Sequence, residues 1–185
     1  GVTAYARYDG ARAGELHLDE VAVEGTAALG DPAAGLATLE RAFDQATVAA
    51  CADALGAMTA VLFKTGEYLA TRKQFDVPLA SFQVLQHRLA DMHMAWLLAR
   101  ALVGATLAAM DQPAPERSRA VASAQVAVAR AARSVGQGAV QLHGGMGMTD
   151  ELVVSHWFKR LTAIEIEFGD SDTHLQQFIE ASAFN

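Results

Sequence analysis

At 185 residues the chain is long enough to bury a real core, and 52% hydrophobic against 19% charged residues exclude a disordered polymer. A net charge of -7 argues against binding to phosphate backbones, which needs clustered Lys and Arg, so nucleic acid is not an expected partner. The lone Cys51 has no disulfide partner, no secretory start is visible, and the apolar run from Cys51 to Phe63 carries Asp53 and is too short for a bilayer; a cytoplasmic protein without membrane contact is expected.

Glu15-Leu16-His17-Leu18-Asp19-Glu20-Val21-Ala22-Val23 alternates polar and apolar residues with period two, which predicts a strand. Tyr5-Ala6-Arg7-Tyr8 is its candidate antiparallel partner, with Asp9-Gly10 as the turn. Two strands are not stable alone, so they either pack on the helices or are the tail of a sheet domain. Residues 1–30 are assigned to such a remnant and 31–185 to a helical domain.

From Asp31 onward the chain reads as helix. Asp31-Pro32 supplies an N-cap and a first-turn proline, and helical composition runs to about Arg72. Ser81 is the next cap candidate, after which Phe82, Leu85, Leu89, Met92, Trp96, Ala99, Val103, Leu107 and Met110 form an apolar stripe expected to be core. Pro113 and Pro115 break the chain. A third helix runs from about Glu116 to His143, with Val121, Ala124, Val128, Ala131, Val135 and Leu142 on one face. Thr149 or Asp150 is expected to cap a shorter helix through Leu161, and a last helix runs from near Asp170 to about Ala181. The fold class is therefore mainly α, an antiparallel helical bundle with a short N-terminal β remnant.

The residues support little generic chemistry. The six histidines lack the one-turn spacing of a helix-borne zinc site, so no metal is expected. No Gly-x-Ser-x-Gly elbow exists, and Cys51 sits among alanines, where a thiol acts as a small hydrophobe. Two segments stand out. In Arg72-Lys73-Gln74-Phe75-Asp76-Val77-Pro78-Leu79, followed by Gln83, a cation at a helix end is placed beside a flat ring, which suits a phosphate-bearing heteroaromatic ligand. In Val140-Gln141-Leu142-His143-Gly144-Gly145-Met146-Gly147, the glycines let a backbone approach a ligand closely.

Together and in this order, the two segments resemble the Arg-x-x-Phe-Gly-x-x-Leu…Gln and Val-Gln-x-x-Gly-Gly-x-Gly motifs of the acyl-CoA dehydrogenase C-terminal helical domain, with Asp76 in place of the usual Gly. The resemblance covers nearly the whole chain, which is expected to be the C-terminal half of a subunit. It implies FAD as cofactor and an acyl-CoA substrate, whose α proton a carboxylate removes while a hydride passes to the flavin. It also implies that Arg72, Phe75, Gln83, Gln141, Gly144 and Gly145 serve the FAD of a neighbouring subunit.

The family's base is usually the Glu of a Tyr-Glu-Gly-Thr-Ser segment. Aligned on Gly169, this chain has Phe168 there, and the alternative position on an earlier helix falls at about Ala46. The expectation is a subunit without its own catalytic Glu, similar to the unequal actinobacterial dehydrogenases that act on steroid side chains, paired with a homologous subunit in a heterotetramer. Asp170 and Asp172 are expected to repel a pyrophosphate held by the same subunit. Two alternatives are a self-sufficient enzyme in which Glu167 (or Glu165) takes over as base by a one-residue shift, and a purely structural subunit.

Overall fold

The computed structural model describes residues 1–182. Its elements are the hairpin β1 (Val2–Ala6) and β2 (Arg12–Leu16), the helix α1 (Gly35–Thr71), a short hairpin β3 (Lys73–Gln74) and β4 (Val77–Pro78), and the helices α2 (Gln83–Ala109), α3 (Ala114–His143), α4 (Val153–Ile164) and α5 (Ser171–Ser182). Asp31 accepts the Ala33 N–H at 2.9 Å and opens a 3-10 turn over Pro32–Ala34 that leads into α1. Pro115 does not break a helix as its residue type suggests. It lies in the first turn of α3, where the missing N–H has no intrahelical role.

Three contacts fix how α1 and α3 lie. Asp44 meets Arg117 near their starts at 2.7 Å, Cys51 meets Gln125 farther along at 3.0 Å, and the Tyr68 ring stacks on His143 at their ends. The two helices therefore run parallel. Between them, α2 runs the other way: Trp96 donates to the Leu55 carbonyl, Thr106 to the Ala120 carbonyl, and a Cβ at Gly138 would lie 2.8 Å from the Met92 sulfur. That last approach leaves no room for a methyl group until the thioether moves.

α3 packs against the other four helices and carries the centre of the core. All six residues of its expected stripe are buried, together with Ala122, Ala129, Ala132 and Ala139, small enough to bring neighbours close. Gln125 is fully buried yet satisfied, accepting from the Cys51 thiol and donating to the Ile164 carbonyl. Burial pushes that thiol's pKa up to about 12, so Cys51 is a packing residue.

Several expectations need correction. β2 ends at Leu16, and beyond it Leu18, Val21 and Val23 are exposed without a strand partner, because no surface of the described chain receives them. The α2 stripe is core only in part: Met92, Ala99 and Val103 are buried, whereas Leu107 is 59% exposed. Ser81 closes a 3-10 turn instead of capping α2, whose N-cap is Phe82. Leu152, not Thr149 or Asp150, is the N-cap of α4. Finally, Pro32–Thr71 and α2 are each long and apolar enough to cross a bilayer by length and composition, so the short run from Cys51 to Phe63 understates that stretch.

The first hairpin is tied to the bundle through charge. Its turn places the Asp9 side chain out of solvent, where it accepts the Ala11 N–H at 3.2 Å and an Arg160 nitrogen at 3.1 Å. Arg160 also holds Asp53 of α1 at 2.7 Å. Burial raises the Asp9 carboxyl, but the Ala11 N–H and the Arg160 and Arg7 guanidiniums outweigh it and hold it below the ordinary range.

Candidate functional site

The parallel run of α1 and α3 brings both motif segments to one end of the bundle. Tyr68, four residues before Arg72, stacks on His143, two residues after Gln141, at 4.4 Å between ring centroids. His143 is buried and its Nδ1 lies 2.8 Å from the Ala139 carbonyl, which fixes the ring. Beside the stack lies a depression of about 490 Å³, lined by Lys64, Glu67, Tyr68, Thr71, His143 and Leu152 among others. Tyr68 opens the segment that leads into Arg72, whereas Lys64, one turn before it, carries no sequence signal of its own.

Arg72 ends α1 in an extended conformation, its N–H donating to the Tyr68 carbonyl and its own carbonyl accepting from the Leu79 N–H, both at 2.8 Å. The chain between them is a two-residue hairpin in which Lys73 pairs with Pro78 and Gln74 with Val77. Its turn residues, Phe75 and Asp76, have φ of 54° and 66°. Both central residues are thus left-handed, as a twist-matched hairpin turn requires. This explains why Gly suits position 76, and why Asp, which tolerates that conformation, can replace it. The turn leaves the Phe75 ring 85% exposed, edge-on to Phe82 at 6.2 Å. Arg72 and Gln83 are exposed, and Arg72 has no ion pair among the described residues.

At the end of α3, Gln141 is exposed, Gly144 has a φ of 61°, and a Cβ at Gly144 or Gly145 would meet nothing within 4 Å. Gly147 differs: a Cβ there would lie 2.7 Å from the Val140 carbonyl oxygen, so this glycine folds the loop back on α3. An exposed cation, two exposed amides, an exposed ring and two unobstructed glycines thus share one end. This set fits the pyrophosphate and flat ring system of a dinucleotide: guanidinium answers the charge, and backbone N–H groups can approach where no Cβ intervenes.

The positions expected to hold a base lie elsewhere. Phe168 occupies a left-handed conformation, φ 61°, with its ring edge-on to Phe43 of α1 at 6.3 Å. Ala46, on the same helix, offers no acid. Glu167 accepts from Arg7 at 2.9 Å and from Arg160 at 3.1 Å, and Glu165 is ion-paired with Arg133. The bond to Glu167 raises the Arg7 pKa, so this guanidinium stays charged against the carboxylate. Guanidiniums thus take both Glu167 carboxylate oxygens, which leaves neither free to face a substrate. The Asp170 side chain accepts the Thr173 N–H and hydroxyl at 2.9 and 2.7 Å, capping α5, and these bonds hold its carboxyl below the ordinary range, so it stays ionised.

The acyl-CoA dehydrogenase C-terminal domain model matches residues 33–183. A probable acyl-CoA dehydrogenase of Bacillus subtilis, YngJ, is 32% identical over 186 residues, covering 98% of this chain and 48% of its own. Among solved structures, the ChsE4–ChsE5 complex from Mycobacterium tuberculosis superposes with a TM-score of 0.89 at 27% identity, covering all of this chain and 49% of that one. A variant of the Tcur3481–Tcur3483 steroid acyl-CoA dehydrogenase does so with a TM-score of 0.85 at 30% identity, over 99% and 48%. The chain thus spans about half the length of the relatives it matches.

Proposed function

The chain belongs to the acyl-CoA dehydrogenase family through its C-terminal helical domain, and from that premise we propose that it is the subunit of a heteromeric FAD-dependent acyl-CoA dehydrogenase that serves a partner's flavin and brings no base of its own. The reaction is the α,β-desaturation of an acyl-CoA thioester. Members of this family are FAD-dependent, and the flavin when bound supplies the hydride acceptor. This chain's residues bind and position. Arg72 offsets pyrophosphate charge, Gln83 and Gln141 offer amide hydrogen bonds, Phe75 presents a ring face, and Gly144 and Gly145 admit backbone contact.

One observation carries the reading: the dinucleotide-type residues gather, exposed, at one end of the bundle, while Phe168 stands where the family's Glu is expected and Glu165 and Glu167 are held in ion pairs. The pairing with a homologous subunit is supported by the likeness to the ChsE4–ChsE5 and Tcur3481–Tcur3483 complexes, and the second of these suggests a steroid-type acyl group. Residues 1–30 are read as the close of a preceding sheet domain, and a cytoplasmic location belongs to the same proposal.

The test is the flavin-to-chain ratio of the native complex, with every chain in it identified. A mixed oligomer holding fewer flavins than chains is expected. A homo-oligomer with one FAD per subunit, losing turnover on Glu167→Gln, would establish the self-sufficient alternative instead. A complex whose flavin content ignores Arg72→Ala would leave only a structural role.

A further inference from the structure

Every residue of β1 and β2 is exposed or only partly buried, and Val2, Tyr5 and Leu16 are half exposed or more, so apolar packing does little to hold this hairpin on the helices. Charge holds it instead. Arg160 of α4 stands at the centre. Its Nε and Nη2 reach Asp53 of α1 at 2.8 and 2.7 Å, and its Nη1 reaches both Asp9 of the hairpin turn and Glu167 at 3.1 Å. Arg7, directly after β1, completes the cluster by donating to Glu167 at 2.9 Å. Two guanidiniums thus join three carboxylates from the hairpin, from α1 and from the segment between α4 and α5.

Two features set this cluster apart from exposed surface pairs, which contribute little. The Asp9 side chain is wholly out of solvent, and a sequestered carboxylate that loses its cations has to regain water. The turn over residues 7–11 meets that need by lifting away from α4. Second, Glu167 is shared. It stands immediately before Phe168 and Gly169, whose φ angles are 61° and 113°. A bulky residue stays in the left-handed region where its surroundings over-determine it. On one side of Phe168 both Glu167 oxygens are taken by guanidiniums, and on the other Asp170 is fixed by its bonds to Thr173. The backbone between α4 and α5 is therefore pinned from the hairpin as well as from α5.

We propose that the Arg160 cluster is a conformational coupler: docking of the first hairpin on α4 sets the backbone of the α4–α5 turn, and release of the hairpin lets that turn relax. Arg160 is the positioning residue, and it acts on Phe168 through Glu167. The hairpin thereby governs a residue some 160 positions later in the chain. Coupling of this kind is reciprocal, so loosening the turn loosens the hairpin by the same factor. Every group in the cluster belongs to this chain, and the device works whether or not a flavin is bound.

Amide hydrogen exchange, read by mass spectrometry on the purified protein in the assembly it natively forms, tests this in residues 2–16 and 165–170, with 121–142 of α3 as the control for the fold. Both test segments carry protected amides: the hairpin ladder, which is marginal once undocked, and the Glu165, Ile166 and Glu167 N–H groups bonded to the Leu161, Ala163 and Ile164 carbonyls. Arg160→Gln should speed exchange in both by about tenfold, with α3 unchanged. Arg160→Lys, which keeps the charge without the fork, should restore part of the protection in both. Glu167→Gln, made in the turn, should loosen residues 2–16 as well. On the wild-type protein, 1 M NaCl cuts the screening length to about 3 Å and should act in the same direction, so the matter is decided even if a variant does not fold. Faster exchange in residues 2–16 alone would mean attachment without coupling and would overturn the inference, as would no change in either segment. Neither outcome touches the flavin proposal, because the measurement needs no turnover.

Discussion

Tyr68 and His143 stack with ring planes 29° apart, and this contact joins the last turn of α1 to the last turn of α3, so the two segments that carry the family motifs are held by one pair of side chains. Offset aromatic pairs contribute about 0.5–1.5 kcal/mol beyond their buried area. A double-mutant cycle with Tyr68→Leu and His143→Leu, read by urea unfolding, should therefore return a coupling of about 1 kcal/mol. Additive effects of the two changes would mean that the helix ends are held by something else.

The Arg72 side chain is exposed and has no ion pair among the described residues, so only its backbone serves the fold. Arg72→Ala should shift unfolding by less than about 0.5 kcal/mol. In the assembled complex the same change should weaken flavin retention by about ten- to a hundredfold, the worth of one charge-assisted bond to a phosphate. Arg72→Lys should recover only part, since an ammonium lacks the planar fork. Flavin absorbance per complex after gel filtration, set beside the melting temperature, separates the two effects.

The hairpin turn after Arg72 holds two non-glycine residues, Phe75 and Asp76, in the left-handed region. Asp76 has a φ of 66°, a conformation that costs most L-residues about 1–2 kcal/mol and glycine nothing. Asp76→Gly should leave stability unchanged or raise it by up to about 1 kcal/mol, the larger entropy of the unfolded chain offsetting part of the relief. Asp76→Val should lower it by a similar amount or more, because a β-branched side chain fits that region worst. Denaturant midpoints at constant slope measure both.

What could be read from sequence divides along physical lines. The α3 stripe from Val121 to Leu142 was readable because a helix with one apolar face displays its period directly, and all six residues are buried. The α2 stripe was misleading at Leu107, since α2 is apolar around most of its circumference and period alone does not say which side packs inward. The motif residues around Arg72 and Gln141 were readable as types. Their meeting through Tyr68 and His143, 75 residues apart, was not. Nor was the pairing of Arg7 with Glu167, 160 residues away, which turns a candidate base into part of an ion cluster. Asp170 was readable as a charge, but its bond to the Thr173 N–H, which caps α5, was not.

Two buried groups, His174 and Asp9, contribute to how stability varies with pH, and both act in the same direction. Desolvation lowers the His174 pKa, so around pH 6 the unfolded chain binds a proton that the folded chain refuses. Stability rises with pH wherever the unfolded state binds more protons, so this contribution is complete above the unfolded histidine value, about 6.5, and is lost as the pH falls below it. Asp9 acts lower down. Burial alone would raise its carboxyl, but the Ala11 N–H and the Arg160 and Arg7 charges hold it below its ordinary value. Its contribution is complete above about pH 4 and disappears as the pH falls through its depressed folded value. The unfolding free energy of the wild-type protein should therefore decline in two steps between pH 8 and 3. His174→Phe should remove the step near pH 6, and Asp9→Asn should shrink the step below pH 4, to which Asp170 also contributes. A single decline that neither variant alters would show that neither group is linked to folding in this way.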